Sequence, residues 1–348
     1  MSYPKDRLVH LVALAGEGSS EKRRALLDEV TALFLERPDA YSDAEREQFG
    51  VILGRLARGT GLEERKHLSE CLAAVAQAPR ALILELANDA PAVAYPVISR
   101  SPALNEVDIA AYATTGTPEQ KLALCERADL GPEIVETLIE NANERMVEAL
   151  LKNTALGFGR SQFERLVRRA SGRKRLQRAL LARGDLPVDL MNGMFFTAPG
   201  ELKMKILGRN AGLDESTLDL PPPAERAEAA QEDAPDEGGL VRLLRKGDRD
   251  GFLAAFTRLA GLDGRTTRRI LSDRGGEALA VVCRALHFDR ATFSSIVLLA
   301  NAARKQDETD GILDLYERVP VEAAERTMRI WRRCREILAD APSAPRAA

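Results

Sequence analysis

Four times between residues 98 and 186 the chain takes the same step. An apolar helical stretch ends in a basic residue, a short small or polar turn follows, and a leucine opens the next helix. The brackets are Ile98 to Leu104, Leu124 to Leu130, Leu150 to Leu156 and Leu180 to Leu186, and the basic residues are Arg100, Arg127, Lys152 and Arg183. A self-similar period of this length is the mark of stacked supersecondary units. A two-helix hairpin of this size cannot bury its own apolar face, so neighbours must stack to do it. The spacing predicts an all-α, HEAT-like stack in which each turn leucine plugs its hairpin.

Local signals agree. Ser42 with Glu45 forms a capping box, and Phe49, Ile52, Leu53 and Leu56 follow at helical spacing until Gly59 and Gly61. Thr117-Pro118-Glu119-Gln120 offers an N-cap, a first-turn proline and a capping-box glutamine, and Pro79, Pro132 and Pro187 mark further helix starts. A composition 45% hydrophobic but only 5% aromatic is that of a helical chain.

The organisation reads in five parts: amino-terminal hairpins over 1–60, a degenerate helical-repeat solenoid over 61–213, an acidic proline-interrupted linker over 214–239, a second helical domain over 240–340, and a disordered tail over 341–348. The linker, DESTLDLPPPAERAEAAQEDAPDEGG, has too little apolar content to pack. The formal net charge of -3 excludes a global field drawing the protein to nucleic acid or an acidic membrane. No apolar run reaches bilayer length and the first residues lack a signal-peptide profile, which places the chain in the cytoplasm.

The carboxyl-terminal wording, LLRKGDRDGFLAAFTRLAGLD and then GGEALAVVCRALHFDRATFSSIVLL, resembles the uncharacterised, mainly alphaproteobacterial family called domain of unknown function 2336. The resemblance extends from about residue 60 to about 335. It implies a helical body and supplies no activity, cofactor or catalytic residue to carry over.

Candidate chemistry is sparse. Cys283 and His287 stand four apart in a predicted helix and could pair as thiolate and imidazolium, but no oxyanion stabiliser or orienting partner accompanies them. His10, His67 and His287 are scattered and make no HxxxH or HExxH pair, so no metal is expected. The cysteines (Cys71, Cys125, Cys283, Cys334) read as reduced and buried. Gly157-Phe158-Gly159-Arg160 and Gly275-Gly276-Glu277 read as inter-helical turns, and no cofactor is expected.

One stretch departs from an ordinary surface: Arg160, Arg165, Arg168, Arg169, Arg173, Lys174, Arg175, Arg178 and Arg183, broken by the single acid Glu164. It is the candidate binding patch, suited to an acidic protein partner or, as the weaker alternative, to a nucleic-acid backbone. It also reads as a solvated face, and the acidic linker could fold back over it. The cations ending the repeat helices have a local reason of their own in the helix dipole. The sequence therefore points to a non-enzymatic protein-interaction scaffold. The alternatives are nucleic-acid binding through Arg160–Arg183, or a ligand sensor or enzyme with an inter-domain pocket.

Overall fold

The computed structural model describes residues 20–213, 236–273, 275–300 and 306–334, and among these the only regular structure is helical. His10, most of the acidic linker (214–235) and the tail over 341–348 lie outside the described residues. The fold is all-α with HEAT-like helix stacking. Two compact units divide between Gly157 and Phe158.

Unit 1 holds α1 (Ser20–Glu36), α2 (Asp43–Arg58), α3 (Leu62–Leu72), α4 (Arg80–Ala87), α5 (Pro91–Arg100), α6 (Glu106–Thr115), α7 (Pro118–Leu124), α8 (Pro132–Asn141) and α9 (Glu144–Lys152). Helices α1, α3, α5, α7 and α9 pack in succession as one layer, while α2 meets α4 and α6 meets α8 in a second. The Ser42/Glu45 and Thr117/Gln120 capping boxes both form. Amphipathic spacing explains the layering: α9 buries Met146, Val147, Leu150 and Leu151 on one stripe and needs a neighbour to cover it. The turn leucines Leu104 and Leu156 are buried, whereas Leu130 is only half-buried.

The helix-end cations do not form one row. Arg127 is buried, forks onto Asp129 (2.8 and 2.6 Å), and donates through Nη1 to the carbonyls of Ile98 (3.0 Å) and Ser101 (3.1 Å) one hairpin back. Asn153 repeats the reach, donating to the carbonyls of Cys125 (3.1 Å) and Arg127 (2.7 Å). The Ile98, Ser101 and Cys125 carbonyls stand at helix ends, where intrahelical partners run out, and the Arg127 carbonyl lies in the turn that follows, so in these two cases one hairpin closes the end of the one before. Lys152 instead pairs with Glu148 at the surface, and Arg100 is exposed.

Carboxylates also tie the hairpins of unit 1. Arg65 grips Asp89 at 2.7 and 3.1 Å, and this hydrogen bond holds the Asp89 carboxyl below its usual pKa; Arg127 does the same to Asp129. A depressed carboxylate contributes stability that is full above the ordinary value of about 3.9 and is lost as pH falls through the lowered value. Arg65→Ala is therefore expected to destabilise the protein at neutral pH. In urea titrations repeated toward pH 2 the gap from wild type should close.

Unit 2 holds α10 (Arg160–Ala170), α11 (Lys174–Ala182), α12 (Val188–Met194), α13 (Gly200–Ala211), α14 (Glu237–Arg245), α15 (Arg249–Ala260), α16 (Gly264–Ser272), α17 (Glu277–Ala285), α18 (Arg290–Ala300), α19 (Gln306–Arg318) and α20 (Val321–Arg333). The turn leucine Leu186 is buried here. Trp331 of α20 is fully buried against Phe195 and Phe196, with ring centroids 5.2 and 5.3 Å away. Its indole N–H donates to Asn192 Oδ1 (3.0 Å), Asn192 and Asn210 exchange amide hydrogen bonds, and Asn210 donates to Thr327 (2.9 Å). Lys203 of α13 is buried between Asp273 (2.6 Å) and Glu277 (3.0 Å).

Residues on both sides of 214–235 share one core, because Phe195, Phe196 and Trp331 occupy the same space. The division at 157/158 falls inside the stretch read as one solenoid. The last linker residues are helical: the Asp236 carboxylate accepts from the Gly239 N–H at 2.8 Å and starts α14.

Candidate functional site

The basic run occupies α10, α11 and their turn. Its charge is partly spent within unit 2. Arg160 binds Asp189 and also Glu164 (3.2 Å); Lys174 and Arg178 both meet Glu201, at 2.9 and 3.1 Å. Arg183 is buried rather than displayed, forked onto Asp185 with its guanidinium 4.4 Å from the Phe158 ring centroid. It is a packing element, and it leaves the surface patch. Arg173 donates to the Arg169 carbonyl. Arg165, Arg168, Arg173 and Arg175 are exposed and Arg169 is half-buried.

Cys283 and His287 are not brought together as a catalytic pair. Helix α17 ends at Ala285, and His287 adopts a left-handed backbone (φ 57°) that turns it away to Glu325 (2.8 Å). Cys283 is fully buried, and burial pushes its thiol pKa far up, the opposite of what a thiolate nucleophile needs. Burial likewise raises Cys125 and Cys334, each to about 12. The glycine pairs are turns, as read. Gly276 is left-handed (φ 75°), and a Cβ there would stand 2.6 Å from Ile312 Cγ2.

Sequence reasoning missed a groove in unit 1. It lies between α2 and α4, has a volume of about 540 Å³, and is lined by Gly50, Val51, Ala78, Pro79 and Leu82 with Arg46, Glu47, Arg58, Arg80 and Glu85 among its charged residues. At Gly50 a Cβ would be 2.7 Å from Pro79 Cβ, so α2 packs this closely on Pro79 only without a side chain there. Val51, one of the lining residues, is 60% exposed. The rim arginines are engaged inside the protein: Arg58 with Glu85 (2.5 Å), Arg80 with Asp108 (2.5 and 2.9 Å), and Arg46 with Asp43 and the Tyr41 carbonyl. The signal available in the sequence was Val51, an apolar residue off the Phe49–Leu53–Leu56 stripe.

Among the described residues no group of three or more His, Cys, Asp or Glu side chains is placed to hold a metal ion, and no helix is long and apolar enough to cross a membrane. Residues 93–329 match the family model described as "uncharacterised protein conserved in bacteria (DUF2336)". The chain belongs to this family. The DUF2336 span begins in α5 and ends in α20, so it contains the basic run and stops two residues short of Trp331, whereas the groove is built from residues ahead of it. No curated protein and no solved structure matches the chain.

Proposed function

We propose that the chain is a non-enzymatic interaction scaffold that takes an extended or helical segment of a protein partner in the groove between α2 and α4. The observation that carries this reading is Val51, an apolar side chain 60% exposed in a groove whose lining mixes apolar and charged residues. Covering apolar surface of that kind yields about 25 cal/mol per Å². The rim charges are already balanced by neighbours, so they contribute register more than affinity. The stacked hairpins hold both walls rigid, as recognition by a preformed groove requires. A cytoplasmic setting belongs to the same proposal.

The exposed arginines of α10 and α11 support a second, electrostatic contact to an acidic stretch of the partner. Nucleic acid is the weaker occupant of that surface, because a net charge of -3 supplies no long-range field to draw a polyanion.

Capture from the native host with wild type and Val51→Glu tests the reading. Val51 is not part of the core, so the variant keeps its helix content and is expected to lose a protein that wild type retains. Identical captured sets would overturn the proposal. Generic duplex DNA, tried at two salt concentrations, is expected not to bind. Binding that falls steeply with salt would instead make the α10–α11 surface a phosphate site.

A further inference from the structure

Helix α3 carries a second arrangement, independent of the groove. His67 and Cys71 are one helical turn apart on one face, with Cys71 Sγ 3.7 Å from His67 Nε2. His67 is exposed and Cys71 is half-buried, whereas Cys125, Cys283 and Cys334 are buried, so Cys71 is the thiol that a dissolved ion can reach. A tetrahedral zinc ion, with Zn–S about 2.3 Å and Zn–N about 2.0–2.1 Å, would set these two ligand atoms about 3.6 Å apart. The pair already stands at that separation.

We propose that His67 and Cys71 form a two-ligand chelate for a borderline-soft divalent ion of the zinc class, with water in the remaining positions. Binding forms one metal–sulfur and one metal–nitrogen bond and releases the thiol proton to solvent, with no change of oxidation state. A thiolate and an imidazole select zinc or cadmium over magnesium or calcium, which prefer oxygen. Two protein ligands, rather than the four of a structural zinc site, make the ion exchangeable.

Cadmium is the probe, added to the reduced full-length chain while the ultraviolet sulfur-to-metal charge-transfer absorption is followed. Wild type should show one saturable step, reversed by zinc and not by magnesium. Cys71→Ser should abolish it, and His67→Ala should weaken it by at least about tenfold, a loss typical even of groups outside the ligand shell. A band that persists in Cys71→Ser, or a His67→Ala titration equal to wild type, would overturn the chelate. Zinc should also slow maleimide labelling of Cys71 in wild type; equal labelling rates with and without zinc would count against the site.

Discussion

Lys203→Ala is expected to destabilise unit 2 by about 3–5 kcal/mol, the cost of removing one partner from a buried charge cluster. Its ammonium sits 2.6 Å from Asp273 and 3.0 Å from Glu277, both largely buried, and 5.6 Å from the centroid of the Phe195 ring. Without it two carboxylates face each other in a medium of low dielectric. The cluster ties α13 to the start of α17 and so joins segments on both sides of 214–235. Trp331 is the single tryptophan of the chain, so its fluorescence reports unfolding of this unit directly. A urea midpoint equal to wild type would show that the cluster does not hold these helices together. Lys203→Met combined with Asp273→Asn and Glu277→Gln should recover most of the loss, because no charge is then left buried.

Trp331→Ala should cost a similar amount, about 3–5 kcal/mol, by leaving a cavity where the largest buried side chain stood. The loss has a polar part, since Asn192 Oδ1 would no longer receive the indole N–H. The amide exchange with Asn210 partly compensates Asn192. Circular dichroism in urea measures this variant, whose fluorescence reporter is gone. Trp331→Phe keeps the ring contacts and should recover more than half of the difference.

The repeat architecture was legible because it depends on local chemistry. Capping boxes at Ser42 and Thr117 and apolar stripes such as Met146–Leu151 act within one or two turns, and their spacing survives in the linear chain. Arg127 and Arg183 were misread for the opposite reason. A cation at a helix end looks like a dipole partner, and only the turn that follows, with Asp129 or Asp185 two residues on, marks a buried fork. Cys283 and His287 were placed on one helix because nothing in AVVCRALH announces that α17 ends at Ala285. The partners that close the core of unit 2, Phe195, Asn210, Thr327 and Trp331, stand far apart in the chain and have no local signature. His67 and Cys71 stand at i,i+4 in KHLSEC, a spacing that matches none of the histidine-pair metal motifs.

The groove was equally hidden. Its apolar lining comes from α2, α4 and the turn before α4, and each of these reads alone as an ordinary amphipathic segment. The glycine at position 50 is what lets the Pro79 side chain pack against α2 beside the groove.

Crosslinking the native-host partner to the intact chain and mapping the footprint tests the scaffold reading most directly. The account predicts that crosslinks concentrate on α2, α4 and the residues between α3 and α4, including the immediate neighbours of Val51, with any second set on α10 and α11. A footprint confined to other helices, with the α2–α4 groove untouched, would contradict it.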